Sequence, residues 1–398
     1  MLTKQENELL TRVGPSTPSG ELLRRYWQPL CRASDLTVEH PQKRVRLLGE
    51  DLVLFRSPNG RHGLVGEQCS HRGASLYYGF VEEQGIRCPY HGWLYDDRGH
   101  CLEQPFEPAQ SLMKATLRHP AYPVEQLAGL LWTYMGPPEK QPLLPRWDVL
   151  VREDGQREFE IRPLECNWLQ AEENTPDFVH TYYLHGHNMK IRGLPGGEYF
   201  YRPFIRYGFR PFKRGLLKFW TYADNPPESG WGHPLIFPNM QRALERGDAM
   251  HWRVPQDDTH TLVFVCTFLP NKTGEPEPQP AEPVFRVFGP MRPPGGDYAL
   301  TSFPSQDHMA WETEGPIYDR ANEHLGASDL GVAMFRTMLR EQIEVVQTGG
   351  EPMGLIHDPR ENVCVPVIVR EAGLPDDLAG ISWVNPEMAP TAEAAHGR

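Results

Sequence analysis

The sequence predicts an α+β chain: a small all-β unit, then a larger unit in which helices pack on an antiparallel sheet. Three observations lead there. Short β-like runs lie between residues 44 and 135, cut by Gly, Pro and Asp. A proline-rich exit, Gly136-Pro137-Pro138 and then Gln141-Pro142-Leu143-Leu144-Pro145, separates them from a mixture of helix-period and strand-like segments. Gly (36) and Pro (40) make 76 of 398 residues, or 19%, against an average of about 12%, so turns are frequent. At roughly 150 residues per domain, the length also suggests two domains.

Residues 1–30 read as a helical lead-in. Leu9, Leu10 and Val13 recur at helical spacing and Gly14-Pro15 breaks the run. Ser19 is placed to cap a second helix with Leu22, Leu23 and Tyr26 inward. The all-β unit spans 31–145, with strands expected at 44–48, 52–55, 63–65 and 130–135. The second unit, 146–398, is expected to hold a strand at 158–161 and a helix over 167–185. Further strands are expected at 219–223, 250–254, 261–269 and 285–288, with a late helix over 328–348. Residues 271–283, rich in Glu and Pro, read as an exposed loop, and the tail after Trp383, from about residue 384, reads as disordered.

Charge and hydropathy exclude several classes. Forty Lys and Arg against 52 Asp and Glu give −12, the wrong sign for a nucleic-acid or anionic-membrane partner. A mean hydropathy of −0.54, no run of 18 apolar residues, and an opening MLTKQENELL without an apolar stretch argue for a soluble, cytoplasmic protein. Seven Cys, an odd and sparse number, argue against a disulfide scaffold and leave selected thiols as ligands.

Two such thiols stand in a pattern. Cys69-Ser70-His71 and Cys88-Pro89-Tyr90-His91 give C-x-H, sixteen intervening residues, then C-x-x-H. Two thiolates and two imidazoles can close a structural zinc site. Gly73, Pro89 and Gly92 bracket the ligand pairs with tight turns, which lets backbone N–H groups point at sulfur, as a cluster with bridging sulfides requires. Cys101 fits neither pair and reads as a core cysteine.

The second pattern, D-x-x-H-x-x-x-x-H, is Asp177, His180 and His185. Two histidines five apart sit roughly 140° apart on an ideal helix, so a shared metal needs a widened or ended turn. Taken singly, His180 also reads as a satisfied core histidine and His185 as a helix-end cap beside Gly186.

The two loops resemble the Rieske [2Fe–2S] domain, and both patterns together resemble the Rieske non-heme iron oxygenases, α (oxygenase) subunit. The likeness extends to the Glu6-Asn7-Glu8-Leu9-Leu10 opening, to Leu23-Arg24-Arg25-Tyr26-Trp27, and to the run from Arg253 to Thr261. That run is similar to one in the phthalate dioxygenase and phenoxybenzoate dioxygenase class. The resemblance implies a catalytic domain of helix-grip (START-like) type. It implies Cys69 and Cys88 on one cluster iron and His71 and His91 on the other, and a mononuclear Fe(II) held by His180, His185 and a downstream carboxylate. Asp307 matches that carboxylate best, with Asp319 second. It makes Asp177 the carboxylate that links His180 to His91 of the next chain, and it gives Asn174 a supporting place in the motif. It implies homotrimers or stacked trimers (hexamers).

The implied reaction uses O2 to hydroxylate an aromatic acid, by dioxygenation or by monooxygenation ending in ether cleavage or demethylation. Arg206, Arg210 and Arg253 are candidates for gripping the acid in a bidentate pair. Electrons come from an NAD(P)H-dependent flavin/iron-sulfur reductase, with or without a ferredoxin, since the chain has no G-x-G-x-x-G fingerprint of its own. Two alternatives stand beside this: a monooxygenase of a non-aromatic substrate such as a quaternary amine, with exposed arginines and an aromatic cage, and a non-catalytic iron–sulfur electron carrier.

Overall fold

A computed structural model describes residues 2–108 and 110–387. The lead-in holds α1 (Lys4–Thr11) and α2 (Pro18–Leu23). Thr3 and Glu6 form a reciprocal cap on α1: the Thr3 amide donates to Glu6 at 2.7 Å and the Glu6 amide to the Thr3 hydroxyl at 3.2 Å. Thr17, rather than the expected Ser19, caps α2, because Pro18 supplies the first helical residue. Ser19 lies inside the first turn, buried, with its hydroxyl donating to Leu10 O.

The β unit follows as β1 (Gln28–Arg32), β2 (Gln42–Leu47), β3 (Glu50–Arg56), β4 (His62–Gly66), β5 (Phe80–Glu82), β6 (Gly85–Arg87), β7 (Leu94–Tyr95), β8 (Cys101–Glu103), α3 (Met113–Thr116), β9 (Ala121–Tyr122), β10 (Val124–Leu127) and β11 (Leu130–Thr133). They make three antiparallel sheets, ordered β1-β11-β10, β2-β3-β4-β9 and β5-β6-β7-β8. The last of these flanks the two Cys/His loops.

The larger unit contains α4 (Asp148–Val151), β12 (Gly155–Leu164), α5 (Trp168–Glu173), a π-helical segment Thr181–His187, α6 (Asn188–Ile191) and α7 (Gly197–Phe200). There follow β13 (Phe204–Phe212), β14 (Gly215–Tyr222), β15 (Gly230–Ile236), β16 (Met240–Leu244), β17 (Asp248–Pro255), β18 (Thr261–Pro270), β19 (Val284–Val287), α8 (Phe303–Thr313), α9 (Leu330–Gln347), β20 (Arg370–Ala372) and β21 (Ser382–Val384). One sheet runs β19-β12-β18-β17-β16-β15-β14-β13-β21, with β20 beside β15. It is antiparallel throughout except for the β12–β19 pair.

Two expectations change here. The helix expected over 167–185 stops after α5, just before Pro176, which has no N–H to donate and disfavours helical geometry in the residue before it. Ser382–Val384 pairs with β13, so the chain is ordered through Trp383 and Val384; of the tail expected to be disordered, residues 388–398 lie outside the described residues.

A continuous apolar core joins the lead-in, the β1-β11-β10 sheet and the large sheet. Trp132 on β11 meets Trp252 on β17 edge to face, centroids 5.5 Å apart. Trp27 donates its indole N–H to Pro142 O at 2.9 Å, so the proline-rich exit is packed down at the boundary expected near residue 145. A smaller core holds Cys69, Cys88, Trp93, Tyr95 and Cys101. α9 closes against the segment before the π-helix, so tightly that a Cβ on Gly331 would lie 2.4 Å from Pro176 O.

Candidate metal centres

The two Cys/His loops are built alike. Gly73 N–H donates to Cys69 O at 2.8 Å and Gly92 N–H to Cys88 O at 3.1 Å. Both glycines sit at φ +73°, a left-handed conformation that glycine adopts without penalty. Each turn thus folds back four residues after its cysteine. Cys69 and Cys88 are buried, and the His71 and His91 rings lie 4.7 Å apart. His71 stacks on Trp93 at 4.4 Å and its buried Nδ1 has no hydrogen-bond partner among the described residues. The His71 amide and the Tyr95 hydroxyl, 3.2 Å from Cys69 Sγ, turn donors toward this sulfur. Cys101 packs in the same small core, with its thiol directed at Glu103 O.

The second group assembles at the break in the expected helix. Past Pro176 the chain re-enters a helical path, and the turn from Thr181 to His187 is widened to π geometry. The extra residue per turn brings His180 and His185 onto one side, centroids 5.2 Å apart. α8, capped by Ser302, delivers Asp307 from its second turn. One ligand atom each from His180, His185 and Asp307 lies within 4.8 Å of the others.

Neighbours orient these donors. His185 Nδ1–H donates to Gln306 Oε1 at 2.9 Å, leaving Nε2 3.3 Å from Asp307 Oδ1. His180 turns Nδ1 toward Asp177 Oδ2 at 3.5 Å, while Asp177 Oδ1 accepts from Val179 N. Despite burial, His185 holds the Asp307 carboxyl below its ordinary range, and Asp307 in turn raises His185. Phe200 and Phe303 set ring edges against His185. Gln306 escaped the sequence reading, although it immediately precedes Asp307 and a ligating histidine requires an acceptor for its other N–H.

Other candidates lie elsewhere. Asp319 caps a short turn, accepting from Ala321 N and Asn322 Nδ2. Asn174 ends α5, and among the described residues no hydrogen bond ties its side chain to Asp177 or either histidine. Arg206 and Arg210 share one face of β13, opposite Tyr207 and Phe209; Arg206 stacks on Trp383 and Arg210 on Phe219, with Arg210 also bound to Asp377 O and Ala379 O. Both guanidiniums are therefore engaged on the outer face of the sheet. Arg253 is buried, donating to Gln241 at 2.7 Å and facing Glu172 at 3.7 Å.

Comparison with known proteins bears on both centres. A family model described as Rieske [2Fe-2S] domain matches residues 26–123, and one described as LigXa C-terminal domain like matches 293–370. The chain is 38% identical over 378 residues to the 5,5'-dehydrodivanillate O-demethylase oxygenase subunit of Sphingobium sp., covering 92% of this chain and 86% of that one. It belongs to the Rieske non-heme iron oxygenases. Another relative of this oxygenase subunit is the phenoxybenzoate dioxygenase subunit alpha of Ectopseudomonas oleovorans, 37% identical and covering 87% of each chain. Among solved structures, Pseudomonas putida CBB5 NdmA shares the fold at a TM-score of 0.61 and 20% identity, covering 90% of this chain and 99% of that one. The oxygenase in a ferredoxin complex of carbazole 1,9a-dioxygenase does so at 0.59 and 19%, with coverages of 90% and 99%.

A Rieske oxygenase subunit carries a [2Fe–2S] cluster and a mononuclear Fe(II). The residues present suit both. Two buried thiols and two facing imidazoles match the mixed thiolate–imidazole set of a Rieske cluster. Two histidines and one carboxylate within 4.8 Å of one another, with Asp307 Oδ1 buried and without a hydrogen bond among the described residues, match a facial triad that leaves positions open.

Proposed function

We propose that this oxygenase subunit hydroxylates an aromatic carboxylate, with Cys69, His71, Cys88 and His91 holding the cluster and His180, His185 and Asp307 holding the iron. The observation that carries the reading is the convergence of His180, His185 and Asp307 behind Asp177, in a chain that also has the paired Cys/His loops. When bound, the cluster supplies single electrons and the iron supplies O2 activation. The chain's own residues do the rest. Gln306 fixes the His185 ring so that Nε2 faces Asp307. Asp177 fixes His180, and its carboxylate, 26% exposed, keeps an edge open to a neighbouring chain. Phe200 and Phe303 wall His185 from water.

That open edge supports a head-to-tail homotrimer, or a stack of two, in which His91 of the next chain meets Asp177. Apolar surface is available on both sides. Tyr78, Phe80, Tyr90 and Phe106 stand exposed near the cluster loops, and Tyr183 and Ile191 near the π-helical segment. Electrons would come from an NAD(P)H-dependent flavin/iron-sulfur reductase, alone or through a ferredoxin, and the compartment is the cytoplasm. Among the described residues no helix is long and apolar enough to cross a membrane. Aromatic acids are the substrates for two reasons. Relatives are named for 5,5'-dehydrodivanillate, phenoxybenzoate and phthalate, and Arg253 is buried on β17.

The test is turnover of the iron-loaded protein with a reductase and a panel of methoxylated and unsubstituted aromatic acids, read as O2 uptake, formaldehyde release and diol formation. Substrate-dependent O2 uptake with either product is expected. Reduction of the cluster without O2 uptake on any acid, with iron present at both centres, would leave an electron carrier instead.

A further inference from the structure

The first Cys/His loop is tied to the rest of the β unit by a histidine outside both metal centres. β4 and β9 pair with Val65 opposite Ala121, so the next rung sets Gly66 opposite Pro120. Gly66 N–H donates to Pro120 O at 2.9 Å, but Pro120 has no N–H with which to return the bond. The ring of His119 fills that gap, with Nε2 2.8 Å from Gly66 O. Its backbone is held as well: the His119 amide donates to Gly99 O at 2.8 Å, and the strands come so close there that Gly99 has no room for a Cβ.

A carbonyl only accepts, so Nε2 carries the ring proton. The residue is 3% exposed and burial lowers its pKa, so the ring is neutral and Nδ1 is left as an acceptor. Ser70 Oγ, 2.8 Å from Nδ1, therefore donates to it. Ser70 stands between Cys69 and His71 and is otherwise exposed. Through this one side chain, the loop that carries a thiol and an imidazole is hydrogen-bonded to the end of β4.

The same ring stacks on Tyr95, centroids 4.5 Å apart and planes at 28°. Tyr95 is the residue whose hydroxyl lies 3.2 Å from Cys69 Sγ, and the other donor turned toward that sulfur, the His71 amide, follows Ser70 directly. His119 thus reaches the cluster site at two points, Ser70 and Tyr95, neither of them a ligand.

We propose that His119 is a positioning residue for the [2Fe–2S] cluster: it fixes Ser70 and Tyr95, aims the donors that face the Cys69 sulfur, and so holds the reduction potential up. This rests on the assignment of Cys69, His71, Cys88 and His91 to the cluster. Reduction adds negative charge, which donors aimed at sulfur stabilise, so a donor that loses its aim lowers the potential.

The experiment is a redox titration of the full chain with its cluster in place, read by absorbance and by EPR of the reduced protein, in the wild type, Ser70→Ala, His119→Phe and the double variant. Phe keeps a ring against Tyr95 and removes both hydrogen bonds of the imidazole. At a fixed potential inside the wild-type transition, the reduced-to-oxidised ratio should fall by about threefold in each single variant, the low end for one hydrogen bond. At 59 mV per tenfold for one electron, that is about 28 mV. Because the two residues share one bond, the double variant should fall no further than His119→Phe alone. An unchanged or raised potential in either single variant, or falls that add in the double variant, overturns the assignment. If His119→Phe takes up no cluster, Ser70→Ala decides at its exposed position, and an unchanged potential there overturns it. A wild type without a [2Fe–2S] signal overturns the cluster reading and this assignment with it, whereas an intact signal with unmoved potentials overturns this assignment alone.

Discussion

His185 Nε2 lies 3.3 Å from Asp307 Oδ1, although 122 residues (307 − 185) separate them in the chain. Nothing local holds them together: the π-helical turn brings one and the second turn of α8 the other. Removing the carboxylate should therefore release the mononuclear iron without disturbing the cluster loops. Asp307→Ala is expected to drop iron from about three atoms per chain to about two. Sulfide content and the cluster absorbance should be unchanged. A variant that keeps the third iron would move the ligand elsewhere.

Asp177→Asn is expected to retain iron at both centres and to lose coupled turnover by tenfold or more, on the order seen for groups that support a ligating histidine. The readout is O2 uptake with a reductase, set beside metal content. Equal activity would mean that Asp177 only positions His180.

Tyr95 tests the cluster from the side. Its hydroxyl lies 3.2 Å from Cys69 Sγ, and a donor at a ligating sulfur favours the reduced, more negative cluster. At about 1 kcal/mol for one hydrogen bond, Tyr95→Phe should lower the reduction potential by roughly 40 mV for one electron. An unchanged potential in a redox titration would place that hydroxyl elsewhere.

Glu172 governs a pH dependence. It is fully buried and faces Arg253 at 3.7 Å, and burial, only partly offset by Arg253, pushes its pKa up to about 8. The folded state therefore holds this proton between the ordinary carboxylate range and about pH 8, where the unfolded chain has lost it. Stability must fall as pH rises through that window. Glu172→Gln keeps the shape and removes the titration. It should flatten the fall between about pH 5 and 8 and raise stability at pH 8 by a few kcal/mol at most, on the order set by about 1.4 kcal/mol per tenfold change. Thermal melts of both proteins across that range decide it.

The sequence made some of this legible because some of the chemistry is local. Cys69, His71, Cys88 and His91 sit in two short loops whose glycines are left-handed, and a metal shared by His180 and His185 would need a widened or ended turn at that spacing; a π turn lies there. What depends on sheet register stayed hidden. Arg162 and Arg253 share one face only because β12 and β17 both pair with β18 at Val263, and Arg206 and Arg210 face outward by the parity of β13. β15 was not expected, and it holds Gly230, Gly232 and Pro234, residue types that are poor in strand interiors. The glycines are there because β20 runs alongside: a Cβ on Gly230 would lie 2.8 Å from Glu371 O.

The Trp132–Trp252 seam carries a consequence for engineering. Because β11 and β17 share one interior, the cluster loops cannot swing on a tether; their aim relative to the large sheet is cast when the chain folds. Grafting residues 31–145 from a relative with a different cluster potential would replace one side of that seam and leave the other unmatched. The graft would succeed only if the residues opposite Trp132 travelled with it, so redox tuning in this protein is better sought by single substitutions around the sulfurs than by exchange of modules.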